Sequence, residues 1–178
     1  MPAAEAPAIS ANGKHLAFVG RKGGVKQVYL RSLEQLEVTP VPDTEGAHMV
    51  FFSPDSQWLG YATATRLWKV ARGGGQPIPL CEVAGVLSAF WAEDDTIFFA
   101  SLQHLPLAQV KASGGVPQLV SRRDGPREWI HGHPEVLPGG KALLFDTGDG
   151  GGGPGNIIIQ SLVPPSGQAT LPTKRRGA

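Results

Sequence analysis

The chain has 178 residues, and its 16 lysines and arginines nearly balance 15 aspartates and glutamates, which leaves a formal net charge of +1. A nearly neutral chain has no global field that would attract nucleic acid or an anionic membrane. The 24 glycines and 16 prolines favour a turn-rich all-β domain over a helical one. No apolar run approaches the ~18 residues of a membrane span, so we expect neither nucleic-acid binding nor direct insertion into a membrane.

The first residues and the only cysteine leave the compartment open. Met1 to Ser10 has no basic segment followed by a long apolar run, so we expect no signal peptide there. Cys81 has no partner for an internal disulfide, and we expect it to be a small buried hydrophobic residue.

Short polar turns recur along the chain at intervals of about 40 residues, a spacing typical of propeller blades. They are Ser10-Ala11-Asn12-Gly13, Ser53-Pro54-Asp55-Ser56, Ala92-Glu93-Asp94-Asp95 and Leu137-Pro138-Gly139-Gly140. The second is the clearest hairpin turn, because Pro54 presets φ for its first central position and Asp55 can bond to its own backbone. Residues 58–62 then alternate with the period of a β-strand.

Short apolar runs fill each unit between successive turns. The runs directly after the turns are Leu16 to Val19, Trp58 to Ala62, Ile97 to Ala100 and Leu143 to Phe145. Two more runs follow within each unit, the last at Gln168 to Leu171, and another precedes each later turn. Four short strands per unit predict an all-β fold, a β-propeller of four-stranded antiparallel blades. Unrelated hairpins in a β-sandwich are the alternative.

The propeller repeats are predicted over residues 9–172, in units of about 9–46, 47–85, 86–132 and 133–172. Residues 1–8 and 173–178 are predicted to be flexible tails. About four blades are present, and we expect an incomplete ring with unpaired blade faces, a liability that natural proteins avoid. The chain is therefore expected to be a fragment, a truncated reading frame, or part of an oligomer that self-associates through its open blade edges.

The turns resemble the Ser-Pro-Asp-Gly-like turns of TolB-like (WD40-like) β-propeller repeats, over nearly all of residues 9–172. Ser53-Pro54-Asp55-Ser56 is the best match, with Ser in place of the usual Gly, and Ala92-Glu93-Asp94-Asp95 is degenerate. Residues 67–77 and 131–140 are similar to the propellers that follow the membrane span of many bacterial serine/threonine protein kinases. Related propellers cover the active site of prolyl-oligopeptidase-type peptidases.

The resemblance implies a non-catalytic binding or sensory module that presents its loops to a protein or small ligand. Its parent would be a bacterial serine/threonine kinase, with this portion periplasmic or otherwise extracytoplasmic. The alternatives are the gating propeller of a serine peptidase and a TolB-like periplasmic adaptor. The flanking coding sequence distinguishes these three parents.

Few residues suggest chemistry of their own, and we expect no catalytic site, cofactor or metal. Residues 148–153 match the spacing of a phosphate-binding loop, but a β-branched run follows instead of a helix, so a hairpin tip is expected.

His131 and His133 would face one side of a regular strand, but zinc would need further ligands. The expected alternative is that they anchor the backbone before the inner strand. Trp129 is the best candidate for an exposed contact, while Trp58, Trp68 and Trp91 are expected to pack between blades. The candidate binding-surface residues are therefore Trp129, His131 and His133.

Overall fold

The described chain is built from β-strands joined by turns, in a computed structural model that describes residues 6–103, 106–122, 130–148 and 155–163. Four antiparallel sheets follow one another, each with its strands in chain order, and we number them blades I to IV. Blade I contains β1 (Ala8–Ile9), β2 (His15–Lys22), β3 (Val25–Ser32) and β4 (Val38–Pro40). Blade II contains β5 (Met49–Phe52), β6 (Trp58–Ala62), β7 (Arg66–Ala71) and β8 (Ile78–Glu82).

The last two blades repeat this order. Blade III contains β9 (Val86–Trp91), β10 (Thr96–Ser101), β11 (Ala108–Lys111) and β12 (Gln118–Leu119). Blade IV contains β13 (Ile130–Val136), β14 (Ala142–Gly148) and β15 (Asn156–Ser161). The fourth strand predicted for blade IV, at Gln168 to Leu171, lies outside the described residues.

The blades pack face to face around one axis, with the first strand of each on the inside. β1 contacts β5, β5 contacts β9, and β9 contacts β13. Among the described strands, extensive contacts join only blades that follow one another, so the four blades form an open arc. The prediction of an all-β, incomplete propeller is confirmed.

The core is divided among the three interfaces between blades. Alternate residues of each strand point to opposite faces of the sheet. One apolar set of a blade can therefore pack against the preceding blade and the other against the following blade. Blades I and II share Ala17, Val19, Val28, Val50, Leu59 and Tyr61. Blades II and III share Phe51, Leu67, Trp91, Ile97 and Phe99, and blades III and IV share Phe98, Leu107, Leu143, Phe145 and Ile158. Cys81 is buried in the second of these clusters, as predicted.

The four turns share one backbone geometry despite their different sequences. In each, the first residue's carbonyl accepts the N–H of the fourth residue. The fourth residue is always left-handed, with φ of 68° at Gly13, 60° at Ser56, 60° at Asp95 and 71° at Gly140. Ser and Asp adopt this conformation less readily than Gly, so the aligned repeat overrides residue preference at two of the four positions.

No helix in the described part of the chain is long and apolar enough to cross a membrane.

Candidate binding surface

The turns after the inner strands, together with the connections between the third and fourth strands, form one side of the arc, which we call the turn side. Asn12 and Asp55 lie at the same turn position, and each accepts the N–H two residues onward, at 3.0 and 2.9 Å. The Ser53 hydroxyl and then the Gln57 N–H lower the pKa of Asp55. The turns are therefore fixed by short local hydrogen bonds, which hold the adjoining side chains in place.

Between blades I and II, the turn side is closed by the guanidinium of Arg72. Its Nη1 lies 2.8 Å from His15 Nε2, and its Nε donates to the Ser56 carbonyl at 2.9 Å. Because Arg has only donors, His15 Nε2 accepts this bond and the ring is neutral. Burial and then the Arg72 charge lower the pKa of His15 from 6.5. We call this Arg72–His15 contact the polar latch.

Between blades II and III, the turn side is open. The residue that aligns with Arg72 is Ala112, because their N–H groups bond the equivalent carbonyls of Gln57 and Asp95. An alanine has no group that could reach back to the preceding blade. A groove of about 370 Å³ lies here instead, lined by Ser53, Pro54, Asp55, Trp58, Lys69, Trp91, Glu93, Asp95, Ala112 and Ser113.

Two indole rings and three carboxylates give this groove its chemistry. The Lys69 ammonium lies over the ring of Trp58, 4.7 Å from its centroid, which is a cation–π contact. The indole N–H of Trp91 donates to Asp95 Oδ1 at 3.0 Å. Asp55, Glu93 and Asp95 outnumber the one lysine, so the groove carries net negative charge beside its aromatic surfaces.

Between blades III and IV, an apolar side chain takes the same repeat position. Leu162 aligns with Arg72 and Ala112, since its N–H bonds the carbonyl of Lys141 at the equivalent place. Leu162 packs against the apolar cluster that the two blades share. The interface that carries Ala112 has neither of these larger side chains at this repeat position, and the groove lies there.

The candidate residues of β13 behave differently from one another. His131 is 1% exposed, and its Nδ1 lies 2.6 Å from the Ser121 hydroxyl, which accepts the Leu107 N–H at 2.8 Å. His133 is exposed and has φ of 44°. It contacts Asp146 through Nδ1 at 3.0 Å. Trp129 lies outside the described residues.

The expectation that both histidines face one side of the strand is wrong. A β-bulge between Gly132 and Glu135 adds a residue to β13 and breaks the alternation. His131 therefore points into the interface with blade III and anchors the preceding loop there, so it is not available as a binding-surface residue. A binding role for His133 stays a prediction.

Other reactive groups of the described chain are placed for packing. Burial raises the pKa of the Cys81 thiol to about 11, which keeps it protonated and unreactive at neutral pH. No group of three or more His, Cys, Asp or Glu side chains within the described ranges could hold a metal ion. Of the predicted hairpin tip at 148–153, only Gly148 lies among the described residues.

The groove was missed by inspection of the sequence, although its tryptophans were noted. Trp58 and Trp91 do pack with the cluster between blades II and III, as predicted. Their second surface, facing the turn side, became apparent only with the three-dimensional structure. The signal that could have found it is the repeat alignment, which places alanine in blade III opposite arginine in blade II.

No protein-family model matches this sequence, and no curated protein matches it. Solved structures do match its fold. A TolB from Agrobacterium tumefaciens matches with a TM-score of 0.73 and 15% identity, over 86% of this chain and 60% of that one. TolB from Acinetobacter baumannii matches with a TM-score of 0.71 and 15% identity, over 88% and 40% of the two chains.

A peptidase propeller is also similar to the chain. The β-propeller domain of the Trilobed protease from Pyrococcus furiosus has a TM-score of 0.57 and 14% identity, over 88% of this chain and 56% of that one. The present chain spans less than two thirds of each of these three structures. Its four blades, the shared turn geometry and these matches together show that the chain has a TolB-like β-propeller fold.

Proposed function

We propose that the chain is a non-catalytic binding module whose site is the groove between blades II and III. Its ligand is a protein segment that inserts a cationic side chain, with arginine the best fit. The observation that supports this proposal is the meeting of two indole rings with three carboxylates in a groove of about 370 Å³.

Arginine suits this groove better than other side chains for a physical reason. A guanidinium stacks on an aromatic face and pairs with carboxylates through its planar fork of donors. Trp58 already holds one cation, Lys69, which an incoming guanidinium would displace. Glu93 is exposed and lines the groove, so its carboxylate is placed to pair with an incoming cation.

A fluorescence titration tests this proposal, because Trp58 and Trp91 both line the groove. The probes are a short peptide with uncharged flanking residues and a central arginine, and the same peptide with citrulline, which keeps the shape but removes the charge. We expect the arginine peptide to bind roughly tenfold more tightly, the worth of one cation–π contact with a partial charge pair. Equal binding of both peptides, or no binding of either, would contradict the proposal.

A matched pair of variants locates the binding. Glu93→Gln removes a rim charge and is expected to weaken the arginine peptide about threefold, the scale of one solvent-exposed ion pair. Glu37→Gln makes the same chemical change at an exposed position in the connection after β3, outside the groove. Its affinity should equal that of the unaltered chain.

A peptidase parent is the second proposal, and the likeness to the Pyrococcus furiosus protease propeller favours it. In this reading the propeller gates access to a hydrolase domain, and the groove binds part of a substrate. The coding sequence after this segment would then encode a hydrolase with a nucleophile elbow.

The kinase and adaptor proposals require different segments in the rest of the gene. A kinase parent rests on the sequence resemblance of residues 67–77 and 131–140, and requires a kinase domain and a membrane span upstream. A TolB-like periplasmic adaptor is supported by the two TolB structures and requires a signal peptide and further blades. Reading the flanking coding sequence decides among the three parents.

A further inference from the structure

The two ends of the arc each expose a blade face that is covered everywhere else in the chain. The second and fourth positions of the strand after each turn are buried against the preceding blade in blades II to IV. These residues are Leu59 and Tyr61, Ile97 and Phe99, and Leu143 and Phe145, all at most 3% exposed. The aligned residues of blade I are Leu16 and Phe18, which have no preceding blade and are half-buried.

The opposite end of the arc, at blade IV, also exposes a repeat position that is buried in the other blades. One repeat position, in or directly before the third strand, is occupied by Val28 in blade I, Leu67 in blade II and Leu107 in blade III, and all three are fully buried. The aligned residue of blade IV is Ile157, which is 66% exposed. Its neighbour two residues on, Ile159, is 50% exposed. Blade IV therefore carries Ile157 at a position that elsewhere packs against a following blade, with a second exposed isoleucine beside it on the same face.

The two faces also carry opposite charges. The leading face of blade I contains Ile9, Leu16, Phe18, Tyr29, Arg31 and Val38, which strand pairing places on one side. The trailing face of blade IV contains Glu135, Leu144, Asp146, Ile157 and Ile159. Asp146 stands where the earlier blades have the buried Val19, Ala62 and Ala100. The same pairing places the exposed Lys22 on the leading face in addition to Arg31. An apolar face with two cations thus meets an apolar face with two carboxylates, one of which, Asp146, also contacts His133.

We propose that the trailing face of one copy of this chain packs on the leading face of a second copy, head to tail. The contact would repeat the face-to-face packing already seen three times within the chain. A head-to-tail contact generates a ring if the rotation closes and a filament if it does not. Two copies would supply eight blades, which lies within the range that closed propellers have.

The test uses light scattering on the whole 178-residue chain and two single-face variants. Ile157→Asp places a charge on the trailing face, and Ile9→Asp, at a position that is 64% exposed, does so on the leading face. The unaltered chain is expected to have twice its 18.8 kDa mass or more, and each variant alone is expected to be monomeric. Val116→Asp, at an 86% exposed site away from both faces, should keep the unaltered mass.

Mixing the two variants distinguishes this arrangement from other contacts. Each variant retains the face that the other has lost, so an equimolar mixture should form one-to-one dimers and nothing larger. Thermal melts of the separate variants confirm that both are folded. A monomeric unaltered chain would overturn the proposal, and would indicate that further blades of a longer polypeptide cover these faces. Variants that keep the unaltered mass, or a mixture that stays monomeric, would overturn it as well.

Discussion

The interface between blades I and II and the one between blades II and III share the same arrangement of strands and turns, yet their turn sides differ: Arg72 bridges the first, and a groove lies at the second. The difference lies at one position of the repeat, which is Arg72 in blade II and Ala112 in blade III. Arg72 reaches His15 and the Ser56 carbonyl, whereas Ala112 leaves the indole of Trp58, which aligns with His15, open to the turn side. A regular scaffold thus gains a binding surface by shortening one side chain, while its backbone stays the same.

The largest effect on stability should come from the core packing that supports Trp91, one of the residues lining the groove. Gly60 faces the ring of Phe51, and a methyl group added there would overlap that ring. Phe51 in turn packs edge-on against Trp91, with ring centroids 6.2 Å apart. Gly60→Ala is expected to lower the free energy of unfolding by about 1–3 kcal/mol through overpacking. Urea denaturation measures this change.

Gly73→Ala is the control for that substitution. Gly73 has no atom within 4 Å of an added Cβ and no left-handed φ, so its unfolding midpoint should match that of the unaltered chain. An equal loss in both variants would mean that general loss of backbone freedom, and not the clash with Phe51, sets the cost.

Removing the polar latch should have the next largest effect. Arg72→Ala leaves His15 Nε2 and the Ser56 carbonyl without their donor, and should cost about 1 kcal/mol because the site is only partly buried. Arg21→Ala, at an exposed position of β2, should cost less than about 0.5 kcal/mol. Equal unfolding free energies for the two variants would show that the latch does not stabilise the interface.

The latch should also make stability depend on pH. Folding lowers the pKa of His15 below 6.5, so the folded chain favours the neutral ring. Above about pH 6.5 the ring is neutral in both states, and below it the unfolded chain takes up the proton first. The free energy of unfolding should therefore fall as the pH drops through the 6.5 region toward the folded-state pKa.

His15→Gln is the variant that checks this origin. Glutamine keeps an acceptor for Arg72 but does not titrate in this range. Melting temperatures recorded at several pH values should decline less steeply below pH 6.5 in this variant. The same slope in both proteins would assign the pH dependence to other groups.

The smallest change in stability is expected when blade III is given the arginine that blade II has. Ala112→Arg places the latch side chain of blade II at the aligned position of blade III, where the groove gives it room. Unfolding should change by less than about 0.5 kcal/mol, while the arginine peptide should lose its binding because the new guanidinium occupies the groove. Undiminished peptide affinity would place the binding site elsewhere.

Much of the fold was predictable from local pattern. The alternation at 58–62 and the recurring turns identified strands, blades and their order, because side-chain period and turn chemistry are local properties. The bulge that separates His131 from His133 was not predictable in this way. A bulge arises from how β13 pairs with β14, and a regular alternation cannot reveal it.

The sequence by itself determined that this protein is a repeat of short strands and polar turns, with four units in register. It also determined where apolar residues occur in each unit. Only the tertiary structure decided which of them are covered, as Leu107 and Ile157 show, since they share a repeat position but not a neighbouring blade. It also decided that Arg72 closes one interface and Ala112 leaves the next open. Burial and the geometry of a site depend on what packs across from a residue, and that partner lies about 40 residues away in a propeller of this kind.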